Sequence, residues 1–197
     1  MVYKCVVKRL LDIIFAILGI LIGLVPMVIV AILIKLESSG PVLFKQERYG
    51  QNSKKFLIYK FRTMRTDAPI LANQNFKDMK KYISPLGAFL RKTSLDELPQ
   101  LFNVLRGEMS FIGPRPLAKT DMNVIKMRQV NGGDLVRPGI TGLAQVNGRN
   151  KISDNEKAAF DAEYAENLNF VLEFNIVWQT IRAVLKRDGI NKNDVDV

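Results

Sequence analysis

The sequence predicts an α+β protein held at a membrane by an N-terminal re-entrant helical hairpin. A compact domain of short helices around a small β-hairpin follows. Three observations carry this reading. Ile13–Ile34 is a run of 22 uncharged, mostly aliphatic residues, interrupted by Pro26. Basic residues flank the run on both sides, with Lys4, Lys8 and Arg9 before it and Lys35, Lys45 and Arg48 after it. Beyond it the chain switches to short alternating stretches and capped helical segments separated by Gly and Pro.

As a helix, the apolar run extends about 33 Å at 1.5 Å per residue, close to the thickness of a bilayer's hydrocarbon core. Soluble helices seldom lack a polar face for that length. Pro26 removes a backbone donor and bends the helix, with Gly19 and Gly23 just before it. Lys/Arg bias assigns both flanks to the cytoplasmic side, which a single span does not satisfy and a hairpin does. Residues 1–36 are therefore read as a basic lead-in and membrane segment, 37–190 as the cytosolic domain, and 191–197 as a frayed end.

Composition narrows the chemistry. The net charge of +10 and pI of about 9.8 call for an anionic partner, and beside a membrane segment anionic lipid headgroups are the first candidate. Nucleic acid is not expected, because the basic residues lack interleaved stacking aromatics and any recognised binding module. The single cysteine, Cys5, excludes a disulfide framework and a thiolate metal cluster. With no histidine in the chain, catalysis falls to carboxylates, Lys, Tyr, Ser or Thr, aided by a hard cation where one is needed.

Pro41–Glu47 and Phe56–Phe61 read as strands around a polar link containing Gly50 and Asn52, a hairpin pattern. Thr66–Lys81 is polar, a loop with a short helix. Leu86–Leu90 is an apolar patch before Arg91 and Lys92. Thr93–Leu105 reads as a helix. Ser94 and Glu97 stand at capping-box spacing, although Ser94 as N-cap would put Pro99 inside the helix; Leu95 or Asp96 as N-cap would put it in the first turn. Gly113–Pro116 is a rigid turn presenting Arg115, and Leu117–Val130 has helical potential. Pro138–Arg149 is turn-rich. Ser153–Asn167 is a helix opened by a second capping box, Ser153 with Glu156. Val171–Lys186 is a helix with Phe174, Val177, Trp178, Ile181 and Leu185 on one side.

Asp96 and Glu97 are the candidate reaction centre. At a helix N-terminus, free backbone N–H groups attract phosphate and the same field keeps Asp96 ionised. An ionised carboxylate can attack phosphorus to give an acyl phosphate. Its neighbour can hold Mg²⁺ together with phosphate oxygens. The competing reading is that both acids only cap a helix on a membrane-anchored scaffold protein. Arg62, Arg91, Arg115, Arg137 and Arg149 lie in or beside turns, where guanidinium groups fit phosphate oxygens; Arg115 and Arg137 have the most rigid contexts. Neither a P-loop nor a dinucleotide-binding glycine pattern is present.

The chain resembles the bacterial sugar transferases that act on polyprenyl phosphate, the small monotopic phosphoglycosyl transferases. The resemblance runs through KRLLD (Lys8–Asp12), GPVLFKQERYG (Gly40–Gly50), YKFRTM (Tyr59–Met64), RKTSLDELPQLFNVLRGEMSFIGPRP (Arg91–Pro116) and RPGITGLAQVNGR (Arg137–Arg149). It implies that Asp96 is the nucleophile. Asp96 would attack the sugar-linked phosphate of a UDP-sugar, release UMP and pass the phosphosugar to undecaprenyl phosphate, the first membrane step of capsule, O-antigen, exopolysaccharide or glycoprotein synthesis. It also implies that Glu97 is linked to Mg²⁺, that Arg91, Arg115 and Arg137 lie near the phosphates, and that the enzyme sits on the cytoplasmic face of the bacterial inner membrane. Later glycosyltransferases of the same pathway are possible partners. The family's membrane helix is re-entrant and commonly broken at Ser-Pro; this chain has Val25-Pro26. Neither the sugar nor the oligomeric state is legible. Thr66–Lys81 and Asp134–Arg149 are candidate specificity elements.

Overall fold

The computed structural model describes residues 3–68, 79–148 and 151–186. After a π-helical turn at Tyr3–Val7, the apolar run forms one helix, α1 (Lys8–Glu37), uninterrupted at Pro26. Its buried positions are Lys8, Asp12, Ala16, Gly23, Met27, Val30 and Ile34, a stripe at three- to four-residue spacing broken only at the close-packed Gly19. The opposite side, from Leu10 and Ile14 to Leu33 and Leu36, is exposed.

Strands β1 (Leu43–Tyr49) and β2 (Lys55–Phe61) form an antiparallel hairpin in the register Leu43↔Phe61 to Tyr49↔Lys55. The link turns through Asn52 and Ser53, both at positive φ. Helix α2 (Pro85–Thr93) has Pro85 at its first position and Ser84 as N-cap, whose hydroxyl accepts from Gly87 N–H at 2.9 Å. The patch Leu86–Leu90, read from sequence without an element type, is thus the body of a helix.

Thr93–Leu105 is not one helix. Ser94 ends α2 in the left-handed conformation at φ 56°, a single 3-10 turn covers Leu95–Glu97, and α3 (Gln100–Arg106) begins after Pro99. The expected Ser94–Glu97 capping box is absent: Ser94 closes α2 in the left-handed conformation, its side chain caps nothing in the 3-10 turn that follows, and α3 starts six residues later. Pro99 decides the boundary: its missing N–H costs nothing before the first helical residue.

Strand β3 (Ser110–Ile112) pairs in parallel with β4 (Gly139–Thr141). Between them, α4 (Met122–Asn131) follows a 3-10 turn at Lys119–Asp121. Helices α5 (Leu143–Val146), α6 (Asp154–Asn167) and α7 (Phe170–Lys186) complete the chain. The Ser153–Glu156 capping box is formed. On α7 the buried residues are Glu173 and Ile176, whereas Phe174 and Trp178 are 61% and 55% exposed.

Helix α1 shares its core with the domain. Ala16 packs with Ile58, Val104 and Met109. Met27, Val30 and Ile34 pack with Phe61 and Leu90, joined by Leu95 and Leu98. At Gly19 a Cβ would come within 3.2 Å of Leu101, so the glycine sets how closely α1 and α3 approach. Both ends of α1 are latched by polar groups. Lys8 donates to Glu173 and to the Ile112 carbonyl, and Tyr3 and Tyr164 also donate to Glu173. Asp12 accepts from Ser110 Oγ at 2.9 Å and from Phe111 N–H at 3.1 Å. At the other end, Arg62 donates to the carbonyls of Ser38 and Ser39.

Candidate active site

The acidic pair lies on the 3-10 turn between α2 and α3. The turn is closed by Glu97 N–H to Ser94 O at 3.1 Å and Leu98 N–H to Leu95 O at 3.3 Å. Leu95 and Leu98, on either side of the acids, pack into the cluster made by the second half of α1. That packing fixes the acids: Asp96 is buried and Glu97 half-buried.

Glu97 is held by Lys60 of β2, Nζ to Oε1 at 2.6 Å, with the two side chains 21% and 23% exposed. Burial pushes the Asp96 carboxyl up to about 6; the Lys60 charge opposes the rise, Glu97 adds to it and Arg91 opposes it. The expectation that a helix N-terminus would hold Asp96 well ionised is therefore corrected. The turn is not an α-helical N-terminus, and desolvation outweighs the charges around it. Asp96 ionises within reach of neutral pH, with cations beside it.

Arg91 comes from the last turn of α2, and its Nε donates to Thr63 Oγ1 at 2.9 Å. Thr63 is buried directly after β2, and its backbone lies against Gly87, where no Cβ fits. Lys60 and Thr63 were not singled out from sequence. Their signal was the YKFRTM segment, where a lysine ends a strand otherwise read as structural.

The other arginines divide. Arg62 is spent latching the end of α1. Arg137 donates from Nε to Gly107 O at 2.9 Å, at the C-terminal end of α3, where Arg9 also donates to Val104 O and Leu105 O. Arg115 stands on the turn after β3, half-buried, and its guanidinium makes no hydrogen bond or ion pair among the described residues. Thus the structure brings Arg91, Asp96 and Glu97 together, while Arg115 and Arg137 flank the β3–β4 pair. Arg149 lies outside the described residues, as do most of Thr66–Lys81 and the last residues of the chain.

No cluster of three or more His, Cys, Asp or Glu exists among the described residues. A self-sufficient metal cage is thus not built there. The donor set fits a different mode, in which one or two carboxylates hold Mg²⁺ and substrate phosphates complete its shell. Glu97, the acid the sequence points to for Mg²⁺, would be the protein ligand in that mode.

A carboxyl raised to about 6, a second carboxylate held by a lysine and the Arg91 guanidinium thus meet at one turn, set against a helix long and apolar enough to cross a membrane. The chain belongs to the bacterial sugar transferase family, whose sequence profile matches residues 3–187. It is therefore a transferase. Among curated relatives, "Uncharacterized sugar transferase EpsL" of Bacillus subtilis is 38% identical over 189 residues, covering 96% of this chain and 92% of the relative. "Exopolysaccharide production protein PSS" of Rhizobium leguminosarum bv. phaseoli is 41% identical over 203 residues, covering 92% and 96%. "Undecaprenyl-phosphate galactose phosphotransferase" of Salmonella typhimurium is 38% identical over 200 residues, covering 92% of this chain but 41% of the relative. The chain thus spans nearly the whole of the first two and about two fifths of the third.

Proposed function

We propose that this protein transfers a phosphosugar from a UDP-sugar to undecaprenyl phosphate through a covalent intermediate on Asp96. The observation that carries this is the seat of Asp96: a buried carboxyl, raised to about 6, flanked by Lys60, Glu97 and Arg91, on a turn whose neighbouring leucines pack on the apolar helix. Relatives named as undecaprenyl-phosphate phosphotransferases for galactose and for N-acetylgalactosamine support the substrate class.

In the first step an Asp96 oxygen attacks the sugar-bearing phosphorus in line, the bond from that phosphorus to the bridging oxygen breaks, and UMP leaves. In the second, a phosphate oxygen of the lipid attacks the same phosphorus. The bond to Asp96 breaks, and the carboxylate is restored as the polyprenyl diphosphosugar departs. Asp96 must be ionised at the start, and Lys60 and Arg91 favour that form. Glu97 with Mg²⁺ would neutralise the phosphate oxygens when both are bound.

Helix α1 lies in the bilayer from one face. The packed stripe runs along both halves of the helix, from Lys8 to Ile34, so a perpendicular span would draw the Asp96–Glu97 turn and its Lys60 beside it into hydrocarbon. Each such charge costs about 2.5–3.5 kcal/mol on insertion scales. A helix that bends at Pro26 without losing its continuity, so that both ends stay at one face, avoids that cost, and the exposed aromatic face of α7 supplies a second apolar contact with the surface. The domain faces the cytoplasm, where the nucleotide sugar is. The test is UMP release from a panel of UDP-sugars by the full chain in lipid nanodiscs containing undecaprenyl phosphate; no UMP with any sugar contradicts the proposal.

A further inference from the structure

The turn that carries Arg115 is held at every carbonyl. Pro114 O accepts from Gly139 N–H at 2.9 Å, and Leu117 O accepts from Tyr49 N–H at 2.8 Å. Between them, Arg115 O accepts from Arg128 Nη1 at 2.9 Å and Pro116 O from Arg48 Nη1 at 3.3 Å. Four consecutive carbonyls are thus gripped from β4, α4 and β1. The Arg115 guanidinium, by contrast, has no partner among the described residues.

Two of the four grips are themselves arginines, and both are costly to place. Arg128 is 6% exposed and is braced by Asp161 at 1%, Nε to Oδ2 at 2.8 Å. Burial raises the Asp161 carboxyl, and the Arg128 charge and hydrogen bond counter the rise. Arg48 gives Nη2 to Gln46 Oε1 at 2.6 Å, but its buried Nε has no hydrogen-bond partner. Burial and the neighbouring Arg115 charge lower its pKa. Neutral donors would hold the carbonyls without adding like charge next to Arg115. Cations in both places make sense where an anion enters, since each strengthens the attraction for phosphate.

We propose that Arg48 and the Arg128–Asp161 pair are positioning residues, which lock the Pro114–Leu117 turn so that the Arg115 side chain is presented from a fixed backbone to a phosphate group of a substrate. The inference rests on the phosphosugar-transfer reading. It is indifferent to whether that phosphate belongs to the nucleotide or to the lipid. Ordering the turn beforehand removes the cost of fixing its backbone from binding.

The test is a double-mutant cycle with Arg48→Lys, Arg115→Ala and the double variant in the full chain in nanodiscs. UMP release is measured while UDP-sugar and undecaprenyl phosphate are varied separately. Arg115→Ala raises KM for one substrate by about 10- to 100-fold, the value of a charge-assisted hydrogen bond, and the substrate affected identifies the phosphate. Arg48→Lys raises the same KM severalfold in the wild-type background and has no further effect once Arg115 is gone. Arg128→Lys follows the same pattern, and the Arg48 cycle stands by itself if that buried variant fails to fold. Equal penalties in both backgrounds, or an unchanged KM in Arg115→Ala, overturn the inference while leaving the transferase reading intact. A wild-type chain that releases no UMP overturns both.

Discussion

Replacing Asp96 by Asn should abolish transfer and make the protein more stable. The carboxyl titrates at about 6 in the folded chain against 3.8 as the ordinary value, a rise dominated by burial. At 1.36 kcal/mol per pKa unit, the folded state of the ionised enzyme carries a penalty of about 3 kcal/mol. The sign follows from proton binding. Below the ordinary value both states are protonated and there is no penalty. As pH rises, the unfolded chain ionises first and stability falls, until the folded carboxyl ionises too and the loss is complete above about pH 6. Asn has nearly the same shape and no charge, so it escapes this loss. For a domain of this size the gain corresponds to an apparent Tm higher by roughly 6–12 °C at neutral pH, shrinking towards zero near pH 4. Thermal unfolding of both proteins in the same nanodiscs across that pH range, with UMP release measured in parallel, is the assay. An Asn variant no more stable than wild type at neutral pH, or a gap that does not change with pH, refutes the reasoning.

Other outcomes follow from the same geometry. The acid limb of the UMP-release profile should lie near the Asp96 value of about 6, because the nucleophile must be ionised. Lys60→Ala removes the largest charge favouring that ionisation, so a pH–rate profile should show the limb moved to higher pH; an unmoved limb denies Lys60 this role. Gly87→Ala puts a Cβ into the Thr63 carbonyl, so it should cost about 1–3 kcal/mol in thermal unfolding and lower activity by displacing Arg91 from Thr63.

Much of the architecture was written in local patterns. The β-hairpin, the Ser153–Glu156 box and the extents of α6 and α7 are set by near neighbours in sequence, and the structure has them within a residue or two; the apolar run lies inside a helix that starts five residues earlier and ends three later. The helix start at Ser94 failed because two rules met there. Capping-box spacing pointed to Ser94, while Pro99 and the left-handed end of α2 required a later start. The face of α7 was legible, but its partner was not: periodicity marks a stripe of Phe174, Trp178 and Ile181 without saying whether protein or lipid covers it.

The site divides in the same way. Asp96 and Glu97 stand out as adjacent acids, whereas the pKa of Asp96 depends on leucines 95 and 98 meeting α1, a contact between segments about 70 residues apart. Lys60 and Thr63 are ordinary strand-end residues until folding brings β2 beside the turn. Arg62 looked like the other turn arginines and became a latch, because the end of α1 lies over it. Which arginine serves structure and which serves a ligand is decided by where carbonyls and carboxylates come to rest, and no spacing in the sequence records that.

The central claim is that Asp96 carries the phosphosugar. Intact-mass and peptide mass spectrometry of the full chain mixed with its UDP-sugar and Mg²⁺, quenched before any undecaprenyl phosphate is added, tests it directly. The account predicts one phosphosugar adduct per chain, located on Asp96, with an equal amount of UMP released, and disappearance of the adduct when the lipid is added. UMP formed only after lipid addition, with no adduct at any time, would contradict it.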